Sequence, residues 1–156
     1  MLNRKIIGSI AIATILVSST AYAFSRNLSG LWKTDDGPVA IAHNTSDSTA
    51  SLTRSFKFKG VSPITITYNG RVSGEDDSTQ FHYSGSASDV AFENRAGHLC
   101  TLSDIIIDAQ GTLIGQFPNR KIRMNNCSTL FSIKCTKDGH VVFDDMIGTV
   151  CIGDWE

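Results

Sequence analysis

The chain has 156 residues, 41% of them in the hydrophobic set and 19% charged, with 13 Gly and 3 Pro. That length fits one domain with a real core, and the composition excludes collagen, a coiled coil, a wholly disordered chain and a polytopic membrane protein. Fourteen Lys+Arg against fifteen Asp+Glu leave a net charge of −1, so no excess of cations draws the chain to nucleic acid.

Residues 1–23 read as an export signal. Arg4 and Lys5 precede the uncharged run Ile6–Val17, and Ser18-Ser19-Thr20 leads to the small-x-small site Ala21-Tyr22-Ala23. The apolar run is 12 residues long. A helix needs roughly 20 to cross a bilayer. No cysteine follows the run for lipid attachment, so the expected product is cut after Ala23 and soluble, in the periplasm or the medium. Cleavage removes two bases and no acid, leaving a mildly acidic mature chain with three more Asp+Glu than Lys+Arg. Neither nucleic acid nor membrane insertion is expected of it.

From residue 24 onward the sequence predicts a single all-β domain, an antiparallel barrel or sandwich of about 8–10 short strands. Leu52, Phe56 and Phe58 share one parity, and Ile64, Ile66 and Tyr68 alternate with Thr65 and Thr67. Phe81 and Tyr83 alternate with His82 and Ser84, and Phe131 and Ile133 with Ser132 and Lys134. Arg54 interrupts its own apolar row, which suggests a strand at an edge or a rim. Turn residues separate these runs: Asn44 to Thr49, Gly60 to Pro63, Gly74 to Thr79, Asp108 to Gly111, and Asp144-Asp145. Asn69-Gly70 and Asp138-Gly139 both suit a type I′ hairpin, the second more cleanly, and the first is alternatively a bulge. Between Ser86 and Gly97 a strand or loop is favoured over a helix, because Val90 and Phe92 alternate.

Cys100, Cys127, Cys135 and Cys151 complete an even set, which in an exported protein reads as two disulfides. No Cys-x-x-Cys pair suggests a metal, and no catalytic thiol is left over. If Ser128–Lys134 is one extended strand, Cys127 and Cys135 stand about 25 Å apart at roughly 3.3 Å per residue. A disulfide needs Cα atoms within about 7 Å, so that pair is excluded, and Cys100–Cys151 with it. Of the two connectivities that survive, Cys100–Cys127 with Cys135–Cys151 is preferred, because Cys135 and Cys151 bracket the Asp138-Gly139 turn. Each bridge should contribute about 3 kcal/mol.

Gly30, Trp32 and Gly37, within Asn27 to Gly37, resemble the Gly-x-Trp opening strand of lipocalin- and avidin-like barrels, which implies a Trp plugging one barrel end. Read without the family, Trp32 is a core anchor on the first strand. His98 to Leu102, Asn126 to Phe131 and Asp138 to Cys151 resemble the cysteine-bearing strands of small exported bacterial β proteins, some of them like periplasmic lysozyme inhibitors. That resemblance implies a binding protein. The chain has no recognisable inhibitory loop motif, so no inhibitory residue is carried over.

Motifs for chemistry are missing. There is no His-Glu-x-x-His, no Gly-x-Ser-x-Gly, no phosphate or dinucleotide loop and no calcium loop, so no catalytic residue, metal site or cofactor is assigned. His43, His82 and His140 read as surface imidazoles, and Asp35-Asp36, Glu75-Asp76-Asp77 and Asp144-Asp145 as solvated turns. Arg120, Lys121 and Arg123 alternate with Ile122 and Met124 as one polar strand face. The expected function is an exported binding module that recognises another protein, inhibitor-like or immunity-like, through loops on a rigid β frame. A lipocalin-like carrier of a small apolar ligand is the alternative, and a hydrolase built from scattered Asp and His ranks below both.

Overall fold

A computed structural model describes residues 24–75, 77–151 and 153–156, so the expected export signal lies outside the described residues. Ten strands follow in chain order: β1 (Gly30–Thr34), β2 (Gly37–Asn44), β3 (Thr49–Phe56), β4 (Ile64–Ser73), β5 (Gln80–Ala87), β6 (Val90–Glu93), β7 (Leu99–Ile114), β8 (Lys121–Lys137), β9 (His140–Val150) and β10 (Gly153–Trp155). All pairings are antiparallel and belong to one sheet, and no helix occurs among the described residues.

The alternating rows become strands because each puts an apolar face on the core and a polar face in water. Ile64, Ile66 and Tyr68 are buried while Thr65 and Thr67 are exposed, and Phe81, Tyr83, Phe131 and Ile133 are buried likewise. On the exposed side, Thr53 and Thr67 share a 2.9 Å hydroxyl hydrogen bond across β3 and β4, as do Ser55 and Thr65 at 3.1 Å. Trp32 is buried, with its indole N–H donating to the Leu28 carbonyl at 3.0 Å and the Arg120 guanidinium 5.0 Å over its ring.

The hairpin of β7 and β8, with 16 and 17 residues, is the spine. The start of β7 borders β6 and its end borders β5, while the start of β8 borders β10 and its end β9. One half of the spine therefore belongs to a body that runs β1-β2-β3-β4-β5-β7-β8-β10. The other half carries a four-stranded extension, β6-β7-β8-β9. The sheet is not closed; its ends meet where Lys33 and Glu156 exchange backbone hydrogen bonds just past β10. Phe58, in the β3–β4 loop, caps the extension's inner face by packing on Phe92 and Phe131 at 6.4 and 6.0 Å between centroids.

Several turns expected from sequence are strand instead. Asp108 to Gly111 lie inside β7, at a register shift between Gln110 and Gly111. Gly111 serves packing: a Cβ there would come within 2.7 Å of the Phe81 ring. Asn69-Gly70 is neither turn nor bulge but mid-β4, where Gly70 faces Gly85 and a Cβ would stand 2.0 Å from the Ser84 carbonyl oxygen. Asp144-Asp145 lie in the middle of β9, which has water on its open side and so tolerates charge. The Asp138-Gly139 hairpin does form, with φ of 51° and 78°. Val90–Glu93 is a strand, as favoured.

The preferred disulfide pairing is corrected. Cys100 bonds Cys135 and Cys127 bonds Cys151. The continuity of β8 through both of its cysteines holds, and it keeps them apart. What decides the partners is register. β7 sets Cys100 directly opposite Cys135, with Cα atoms 4.0 Å apart. β9 then runs back along β8, facing Phe143 to Cys135, so that the chain reaches Cys151 only beside Cys127, where the Cys151 N–H donates to the Cys127 carbonyl at 3.2 Å. Bracketing a turn does not put two cysteines opposite each other when the second strand runs eleven residues.

Candidate binding site

β9 pairs with β8 on one side, and no described strand pairs with its other side. Soluble proteins blunt such edges with Lys, Pro or short strands, because unpaired backbone N–H and C=O groups recruit another strand. β9 has neither Lys nor Pro. It instead exposes Val141, Val142, Phe143, Met146 (67% exposed) and Val150 (68%). Val142 is the extra residue at a register shift, since Cys135 faces Phe143 and Thr136 faces Val141.

The apolar surface continues onto the sheet. Ile106, Leu130 and Gly148 are cross-strand neighbours on β7, β8 and β9. Leu130 leans over Gly148, 3.2 Å from where a Cβ would sit. Met146 and Val150 flank Gly148 two residues away and so share its face. Ile106 and Leu130 are themselves substantially exposed. The only acidic groups on β9 are Asp144, opposite Lys134, and Asp145, whose carboxylate accepts the Met146 N–H at 2.8 Å.

Beside the last residues of β9 a cleft of about 450 Å³ opens between Thr149 and Val150 on one wall and Asp35, Asp36, Arg54 and Phe56 on the other. Arg54 stands in the cross-strand row Trp32, Val39, Arg54, Ile66, on the inner face, and is only 8% exposed. Its guanidinium lies 4.5 Å over the Phe56 ring. Asp36 approaches it at 3.6 Å, and that carboxylate is 69% exposed. Arg54 makes no hydrogen bond to a described residue. In the neighbouring row Tyr68 is fully buried with no partner for its hydroxyl among the described residues, and burial pushes its pKa up to about 12, an effect the Arg54 charge partly offsets. β3 is thus an inner strand of the sheet rather than an edge, and the irregularity at Arg54 marks a rim.

The other residues singled out by sequence lie apart. All four cysteines are oxidised and buried. His43, expected at the surface, is 8% exposed, its Nδ1 accepting the Leu28 N–H at 3.3 Å and its ring stacked on Phe24. The segment from Phe24 to Leu28 covers the ring, although the adjoining turn is itself exposed, and desolvation lowers the His43 pKa. His82 is on the outer face, 2.7 Å from Asp108, with Ser84 opposite Asp108 in register. That trio stands on an open sheet surface, with His82 and Asp108 each about half exposed to water. His140 is exposed at the turn. Lys121 and Arg123 line one strand face and hold Asp154, whose pKa their hydrogen bonds, Arg123's foremost, bring down to about 2. No group of three metal-ligating side chains occurs among the described residues. An internal void of about 20 Å³ is lined by Leu28, Leu52, Phe81, Tyr83 and Met124 among others.

Sequence reasoning missed the exposed residues of β9 because Asp144-Asp145 read as a turn. A signal was present: Val141 to Val150 carries apolar residues at both parities, which a strand with one buried face does not.

These features define a class: a disulfide-braced antiparallel β-sheet protein with an open apolar edge strand and a cleft at that strand's end. No protein-family model, curated protein or solved structure matches the chain. Two disulfides fit a non-reducing compartment. No described helix is long and apolar enough to cross a membrane.

Proposed function

We propose that this is an exported binding protein that recognises another protein, inhibitor-like or immunity-like, by accepting an extended segment of it along β9. The observation that carries the reading is the open edge of β9, eleven residues long and flanked by the apolar face of Ile106, Leu130, Met146 and Val150. Strand addition draws affinity from main-chain hydrogen bonds and specificity from alternate side chains. The expected export signal, the paired cysteines and the sequence resemblance to exported inhibitors favour the same reading.

Charge argues that the partner is not a second copy. An antiparallel self-pairing centred on β9 sets Asp145 against Asp145, and like charges directly opposite are destabilising. A strand with Lys or Arg at the level of Asp144 and Asp145 is favoured instead. The protein-binding reading is preferred to the carrier because the apolar void at Leu28, Leu52 and Phe81, about 20 Å³, falls far below the roughly 300 Å³ at which ligand pockets begin.

The test is retention of a panel of secreted hydrolases, lysozyme first, on the immobilised protein at low salt, beside a Gly148→Pro variant. Retention that Gly148→Pro abolishes supports the reading. Retention equal on both proteins refutes strand addition, and no retention across the panel refutes the inhibitor-like reading.

A further inference from the structure

We infer that the cleft beside Arg54 is a binding site for a carboxylate group, held by the Arg54 guanidinium at its floor. The inference stands apart from strand addition on β9.

A guanidinium has five N–H donors in a planar fork that matches a carboxylate bidentately. Removing it from water is strongly unfavourable unless partners replace the hydration. Arg54 is nine-tenths buried, yet its described partners are one aromatic face and one carboxylate at 3.6 Å, beyond hydrogen-bond distance. The fork is therefore fixed in place by packing, with its donors unspent on any described residue. Asp36 shows which chemistry the fork attracts. Because that side chain is mostly exposed, on the β1–β2 turn, it can swing into solvent when a better-placed carboxylate arrives.

The surroundings fit such a ligand. Lys57 adds a second cation at the cleft, and Phe56 offers an apolar wall. The opposing charges are Asp35 and Asp36, with Asp154 in the smaller adjoining pocket, where Lys121 and Arg123 already hold it. A volume of about 450 Å³ admits a small organic acid or the last residues of a peptide. Both sources present the same group.

The experiment titrates the oxidised, exported protein, isotope-labelled, with phenylacetate, phenylacetamide, and a tetrapeptide ending in either a free carboxylate or an amide. Backbone amide shifts are followed at Asp36, Arg54, Thr149 and Val150. Saturable shifts with the acids and none with the amides are expected. Arg54→Gln should weaken acid binding by about tenfold or more, the loss of a hydrogen bond to a charged group. Asp36→Asn, which removes the resident competitor, should tighten it, and this variant tests the site even where Arg54→Gln fails to fold. Tighter binding of the peptide acid than of phenylacetate assigns the site to a chain terminus; equal or weaker binding assigns it to a small acid. Equal shifts with acids and amides, or no saturable shift in both the native protein and Asp36→Asn, would overturn the inference.

Discussion

Replacing Cys127 and Cys151 together by Ala tests how the extension is held. The bridge closes a separation of 24 residues. In the chain-entropy treatment its removal costs about 3.5 kcal/mol at 25 °C. With a urea slope of about 2 kcal/mol per molar, the unfolding midpoint should fall by about 1.8 M. The Cys100–Cys135 bridge spans 35 residues, so chain entropy alone gives it a similar value. The two differ in what surrounds them. Cys100 and Cys135 sit in a ladder with β6 on one side and β9 on the other, whereas Cys151 comes just after the last residue of β9. Amide exchange should therefore separate the variants. Without Cys127–Cys151 the protection of Ile147 and Thr149, the β8-bonded amides nearest the bridge, should fall to a local opening energy below the global one. A midpoint shift under about 0.5 M, with exchange at those amides unchanged, would refute the view that this bridge pins the edge strand.

Three further outcomes follow from the packing. Gly70→Ala should destabilise by about 3 kcal/mol or more in denaturant melts, since the new Cβ meets the Ser84 and Gly85 backbone with no side chain able to yield. Trp32→Ala should cost about 3–5 kcal/mol by the same measurement, because it removes a buried ring and leaves the Leu28 carbonyl without its indole donor. His43 has a folded pKa below its unfolded value, chiefly through desolvation. The unfolded chain binds the extra proton first, so its contribution is complete above about 6.5 and declines as pH falls toward the folded pKa. Stability measured from pH 7.5 down to 5 should drop in the native protein and drop less in His43→Gln.

Strands whose two faces differ were legible in the sequence. Ile64, Ile66 and Tyr68 against Thr65 and Thr67 fixed both the strand and its buried side. Positions set by a distant neighbour were not. Gly111 looks like a turn residue until the Phe81 ring lies against it, and Gly70 until Gly85 does. His43 looks exposed until the segment from Phe24 to Leu28 folds over it. For the cysteines, elimination left two pairings, and choosing between them required the β7–β8 register, which local spacing does not encode. The same blindness hid the candidate site: β9 was divided at Asp144-Asp145, and Arg54 read as an irregularity although its parity already pointed inward.

The most direct measurement is site-resolved hydrogen exchange along β9, free and with a retained partner. In the free protein, amides bonded to β8 should be protected and the alternate, outward-facing ones should exchange nearly as fast as in an unstructured peptide; with the partner bound, the outward set should become protected too. Uniform protection of Val141 to Val150 in the free protein, or a bound partner that leaves the alternation untouched, would contradict an open strand edge that takes up another chain.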